Sequence, residues 1–404
     1  MTLELKDYLS ALGRESMPER WAAEYPRVMA EYEKYGNPYV KAEYYEYLNK
    51  KYGMLEGMLE VYCGAAQAVA ENEILSHTLL LIARMNEDRA AFKKEYKSFP
   101  LPRPKEGEPS LPYDMLPALA LASMADYCYE NLKSRDIPKE HIDRLMKTPE
   151  GNVRSKVNNG LPPRHDLFDW DQHAIDGQLF TLGRLQIHVG DTFGGYVSVF
   201  ENSKGERIPL ADYGLKFDKT GFGLGALYHE DEEDSFVGIV EEDEKCYTGY
   251  PYTEMGTVKR EKISLDKNEW KKIFCRDDYV IKLHIPSGGG LTPEAVDASL
   301  MAGREFVKKY FPDFKYKGYS CYSWLCDPTL SELVGENANI AKFSKRFQPL
   351  TVPSNGRAVF RFVYKNANIE IDDIPEDTTL SRALKARYKN GGAVYDFRGY
   401  FFED

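Results

Sequence analysis

Between Asp277 and Tyr310 the chain gathers residue types that can bind an anion and move a proton. The apolar run Tyr279-Val280-Ile281-Lys282-Leu283-His284-Ile285 leads into Pro286-Ser287-Gly288-Gly289-Gly290-Leu291. Thr292 is a residue type that caps helices, and Pro293 suits a first helical position, where its missing N–H would have no partner anyway. The stripe Val296, Leu300, Gly303, Val307, Tyr310 has helical spacing, so a helix over 293–310 should follow the loop. Glycines let backbone N–H groups approach a ligand closely, and a helix start adds partial positive charge, so a diphosphate could sit here without a lysine. The plain alternative is a strand-to-helix turn that needs only positive φ. No Lys-Ser/Thr pair follows the three glycines as in a triphosphate loop, and Glu294 already places negative charge in the first turn. His284, just before the loop, is the candidate base because imidazole titrates near neutral pH; the alternative is a strand histidine bonded to its neighbours.

Other clusters read as structural. Gly221-Phe222-Gly223-Leu224-Gly225 is followed by acidic residues rather than a helix, which fits a hairpin or bulge. The acidic runs 230–234 and 241–244 bracket the strand 236–240 and fit a solvated sheet edge better than a calcium loop. Asp169, Asp171, His173 and Asp176 could ligate a metal, but a turn with side-chain capping explains them as well. His77 lies on an apolar helix and reads as a packed core histidine. Cys321 has nothing nearby in sequence to lower its pKa and reads as an inert buried thiol.

The elements that must position these residues fall into two parts. Over the first ~150 residues apolar positions recur with helical spacing: Leu55, Met58, Leu59 and Tyr62, then Ile74 through Met85, then one long helix over 115–132. Pro138 opens a fourth helix, and the proline-rich stretch 99–104 is a stiff connector. At Asn158-Asn159-Gly160-Leu161-Pro162-Pro163 the period changes to two: Leu185, Ile187 and Val189 alternate with Gln186 and His188. Further strands are expected at 196–200, 236–240, 257–263, 279–285 and 319–325, with helices over 293–310 and about 331–347. The expected division is a helical domain, 1–157, followed by an α+β domain, 158–404.

A chain of 404 residues with 43% hydrophobic and 29% charged residues has the composition of a folded globular protein, which excludes general disorder. Its net charge of −11 disfavours nucleic acid and anionic membrane as partners. The N-terminal residues lack the apolar core of a secretory signal, so a cytoplasmic location is expected. The six cysteines include no CxxC pair, which points to reduced thiols and no structural zinc.

Residues 277–350, ordered strand, glycine loop, helix, strand, helix, resemble the second half of the GNAT superfamily of acyl-CoA-dependent N-acyltransferases. The segment 337–347, where Asn337 and Asn339 precede Ala341, resembles that superfamily's late helix. Three runs, 284–291, 299–312 and 321–328, more closely resemble a bacterial acyltransferase-domain family in which a helical N-terminal domain precedes a GNAT-like mixed-sheet domain with flanking helices. The resemblance implies an acyl-CoA or acetyl-CoA co-substrate and no metal. The diphosphate would lie on the backbone of Ser287, Gly288, Gly289, Gly290 and Leu291 at the helix start Thr292, with Asn337 and Asn339 also binding the cofactor. The pantetheine arm would pair like an extra strand with Leu283, Ile285 and Pro286. Two departures are visible: the superfamily loop usually begins with Gln or Arg and spaces its glycines, and its late-helix tyrosine is here Ser344, counted from Asn337. The implied reaction is direct attack of a small-molecule amine on the thioester, with His284 as base, backbone N–H groups near Ile285 holding the oxyanion, and Tyr322 or Ser344 protonating the thiolate. A rival reading is a GNAT-like module that binds acyl-CoA or another small ligand without catalysis, favoured by the missing tyrosine. A carbohydrate-directed protein is a third, suggested by 29 Tyr and 4 Trp, which core packing explains better. The helical domain is expected to wall part of the acceptor pocket. Acceptor identity, acyl length and oligomeric state are not set by the sequence.

Overall fold

The N-terminal amphipathic segments fold into packed helices. In the computed structural model, which describes residues 3–403, one compact unit runs to Phe180 and a second starts at Thr181. Within the first, the Asn72 side chain accepts the Leu75 amide and starts helix Glu73–Met85, most of which is buried. Trp21, Tyr25, Tyr45, Tyr62 and Phe92 are buried in the same unit. His77 is fully buried against Tyr8 and Tyr32, and burial lowers its pKa, as a packed core imidazole requires.

The structure differs from expectation at three places in this unit. The stretch 115–132 is not one helix but breaks at Ser123 and Met124 into Leu111–Ala122 and Ala125–Ser134. Only Leu59–Ala70 of the first stripe is helical, because Gly57, at φ +77°, holds the preceding residues in turns. Beyond the loop that follows Asn158 one further helix, Phe168–Ile175, joins the unit before it ends.

The second unit is built on a six-stranded mixed sheet in the order Leu179–Leu182, Leu185–His188, Ile281–His284, Gly318–Ser323, Phe397–Phe402, Gln348–Thr351. Ile281–His284 and Gly318–Ser323 are parallel and are joined by helix Pro293–Tyr310. Their outer partners run antiparallel. Between the second and third strands of the sheet the chain forms smaller sheets, one with Val197–Asn202 between Arg207–Ala211 and Trp270–Cys275. Phe193, Val197, Val199, Phe217, Tyr252, Phe274 and Tyr400 form a core there. The chain is thus of the α+β class, helical first and mixed-sheet second.

Several expected strands are shorter. The alternation over 257–263 yields only a bridge between Tyr252 and Val258, and the regular strand is Ile263–Asp266. The strand 236–240 contracts to Phe236–Val237. The late helix 331–347 is split into Leu330–Val334 and Asn339–Ser344, with Gly335 at φ +84° ending the first piece. All six cysteines are free thiols. Among the described residues no helix is long and apolar enough to cross a membrane.

Candidate active site at a break between parallel strands

The two parallel strands stay paired only briefly. Ile281 faces Tyr319 and Lys282 faces Ser320, and there the ladder between them ends. Each strand then continues with its other neighbour: Leu283 and His284 against Ile187 and Gln186, and Cys321 to Ser323 against Gly399 to Phe397. Beyond Lys282 and Ser320 the two strands are no longer paired with each other, and a break of this kind is where an extended ligand can add hydrogen bonds.

The pleat sorts the side chains. Ile281 and Leu283 are buried on the face covered by helix Pro293–Tyr310. Gly303 permits close approach there, since a Cβ at this position would lie 3.2 Å from Ile187 Cγ2. Lys282 and His284 point to the opposite face, and the parallel register puts Ser320 and Tyr322 on that same face. His284 and Tyr322 thus flank the break from its two sides. His284 is half-buried, and its ring centre lies 5.8 Å from that of buried His188. Asp191 Oδ2 accepts from Lys282 Nζ at 2.8 Å and lies 3.7 Å from His188 Nε2. Tyr322 is 51% exposed at the surface. Desolvation of its phenol and the nearby Asp396 carboxylate raise its pKa, against the Arg398 guanidinium, whose Cζ lies 5.4 Å from the Tyr322 ring centre.

The glycine loop follows immediately. Gly288 and Gly289 adopt φ of +94° and +65°, and residues 287–290 are exposed. Among the described residues, the amides of Ser287, Gly288, Gly289, Gly290 and Leu291 donate to no protein acceptor. The space beside Gly288 is open, with nothing within 4 Å of where its Cβ would be. Thr292 caps the following helix as expected, its Oγ1 accepting the Ala295 amide at 3.3 Å.

Neighbouring elements are pinned to this loop. Ser299 Oγ accepts from the amides of Arg184 and Leu185, at 2.7 and 3.3 Å, and donates to the Ala295 carbonyl at 2.8 Å, tying the hairpin before Leu185 to the helix. Arg184 Nη1 donates to the Pro286 carbonyl at 2.9 Å. Arg346 pairs with Asp297 at 2.6 Å, holding the late helix to the same helix. A Cβ on Gly290 would lie 4.0 Å from Asn339 Nδ2, so Asn339 is beside the loop. Asn337 sits exposed in the preceding turn. Ser344 is buried and its hydroxyl donates to the Asp327 carbonyl at 2.8 Å, which commits it to structure.

Most other sequence candidates have partners within the protein. Asp171 pairs with His165 at 2.9 Å, Asp176 with Arg89 and Lys93 at 2.6 and 2.7 Å, and His173 with Gln178 at 3.3 Å, so this cluster is spread over separate partners. Cys321 is buried. Glu241 and Glu242 lie exposed on a strand edge, paired with Lys262 and Lys267. The helical unit holds a cavity of about 800 Å³, walled by Trp21, Phe92, Tyr96, Phe99, Phe168 and Trp170 among others. Sequence reasoning missed Arg184: it is a lone basic residue in a tight turn, far from the loop in sequence.

A parallel strand pair that parts before a glycine loop and a long helix defines a class of fold, and comparison with known proteins assigns it. Residues 179–401 match the model of the GNAT-like C-terminal domain family. The chain belongs to that family. Among solved structures, an acyltransferase in complex with decanoyl-CoA and teicoplanin is 19% identical, with a TM-score of 0.59 and 99% of each chain covered. An acyltransferase in complex with CoA and 10C-teicoplanin is 18% identical at a TM-score of 0.60, again over 99% of each chain. A mutant acyltransferase in complex with octanoyl-CoA is 18% identical at 0.57, over 100% of each. No curated protein matches the sequence.

Proposed function

We propose that this protein is an acyl-CoA-dependent N-acyltransferase. The observation that carries the reading is the ladder that ends at Lys282 and Ser320, directly before a loop whose amides have no protein acceptor. The diphosphate of CoA lies on the amides of 287–291 at the start of the helix, where charge and geometry favour an anion. Pantetheine runs along Leu283, Ile285 and Pro286 as an added strand, bringing the thioester between His284 and Tyr322. His284 takes a proton from the acceptor amine; the amine nitrogen attacks the thioester carbon, with backbone N–H groups near Ile285 holding the oxyanion. The C–S bond then breaks as the amide is completed, and Tyr322 protonates the departing thiolate. A phenol with a raised pKa is protonated at neutral pH, as that role requires, whereas the Ser344 hydroxyl is already engaged.

The acceptor is a small-molecule amine. The solved relatives are complexes with octanoyl-CoA, decanoyl-CoA and teicoplanin, so medium-chain donors and a glycopeptide amine are the first combinations to assay. The experiment is release of free CoA from acetyl-, octanoyl- and decanoyl-CoA in the presence of amine panels. His284→Gln is expected to lower turnover by ~10²–10⁴-fold, the usual range for a positioned base. Unchanged turnover with an unchanged pH profile removes His284 from the mechanism. Binding of CoA with no release for any donor and amine supports the non-catalytic module instead.

A further inference from the structure

The loop 286–292 contains no lysine or arginine, yet a diphosphate brings negative charge that amides alone neutralise only in part. A guanidinium from a different element lies against this loop. Gly183, at φ +67°, makes a turn so close to the long helix that a Cβ would lie 2.8 Å from Ser299 Oγ. Ser299 in turn accepts the Arg184 amide. This fixes the Arg184 backbone, and its side chain reaches across to the loop, donating Nη1 to the Pro286 carbonyl. A Cβ on Gly289 would lie 3.4 Å from Arg184 Cδ and 3.6 Å from Nε, so the stem of the side chain runs beside the central glycine.

The guanidinium is otherwise unsatisfied. Nε is buried with no acceptor, Nη2 has no protein acceptor, and no carboxylate pairs with the residue. Arg207, Arg304 and Arg346 in the same unit each pair with a carboxylate. Desolvation pulls the Arg184 pKa down with nothing opposing it, which is the condition of a cation held ready for an anion that the protein itself does not supply.

Building on the acyl-CoA reading above, we infer that Arg184 is the cation that binds the cofactor's diphosphate, supplied by the hairpin because the loop has none of its own. It acts on the nucleotide end of the cofactor and takes no part in proton transfer. The test compares two ligands by calorimetry, CoA and decanoyl-pantetheine, which keeps the thioester arm but lacks the diphosphate. Arg184→Gln is expected to weaken CoA binding by roughly 10- to 100-fold, the worth of a charge-assisted hydrogen bond, and to leave decanoyl-pantetheine unchanged. Arg184→Lys should recover part of the loss, since it keeps charge but not the fork that also holds Pro286. Equal weakening for both ligands, or no weakening for CoA, overturns the assignment. A wild-type protein that binds decanoyl-pantetheine and binds decanoyl-CoA no more tightly sinks Arg184 alone. One that binds neither sinks the acyl-CoA reading with it.

Discussion

Two glycine clusters in the same unit use the same residue for opposite ends. In 221–225 the glycines allow backbone to touch backbone: a Cβ on Gly221 would lie 1.9 Å from the Val258 carbonyl oxygen, and one on Gly223 would lie 3.0 Å from the Val352 carbonyl carbon. Their amides are used, Gly221 to the Asp218 carbonyl, Gly223 to Thr351 Oγ1 and Gly225 to the His229 carbonyl. In 288–290 the glycines leave room and leave amides unused. The spaced pattern GFGLG looks more like a ligand motif than the contiguous GGG, yet it is the packed one. Glycine spacing alone says little; whether the amides find partners in the fold decides whether a loop is structural or available to a ligand.

The largest effect separating the two should come from Gly221→Ala. Positive φ and a blocked Cβ together cost about 3–5 kcal/mol, a fall of roughly 10 °C in the melting temperature of the sheet unit. A melt indistinguishable from wild type would mean that this loop is not the close-packed one.

Asp218→Asn should cost less, about 2–3 kcal/mol at pH 7. The Asp218 carboxylate accepts from the Thr220 and Phe222 amides, Thr220 Oγ1 and His229 Nδ1. Desolvation alone would raise its pKa, but these hydrogen bonds hold it below the ordinary carboxylate value. A depressed folded pKa stabilises above the unfolded value of ~3.9 and loses that stability as pH falls through the folded one. The difference between wild type and variant should be full near neutrality and shrink below about pH 4; a gap independent of pH contradicts it.

Gly288→Ala should be the mildest, about 1–2 kcal/mol from its positive φ alone, because the space around it is empty. A destabilisation matching Gly221→Ala would erase the distinction between the loops.

Much of this site was legible where its chemistry is local. Thr292, Pro293 and the 4-3-4-3 stripe placed the helix at 293–310, as observed. Alternation placed the strand through Leu185 and Ile187. What depends on distant pairing was not legible. Phe397–Phe402 lies between Gly318–Ser323 and Gln348–Thr351, and no local pattern records which strands it joins. The parting of Ile281–His284 from Gly318–Ser323 is a matter of register, and periodicity does not report where a ladder stops. Arg184 meets Pro286 across 102 positions. The helix expected over about 331–347 is instead two pieces, because Gly335 takes a positive φ that local sequence pattern does not report.

The most direct measurement is amide hydrogen exchange along the chain with and without CoA. Exchange is expected to slow in 285–292, where amides gain acceptors, and to stay unchanged in 218–229, where they already have them. Protection absent from 285–292, with CoA bound elsewhere or not at all, would contradict it.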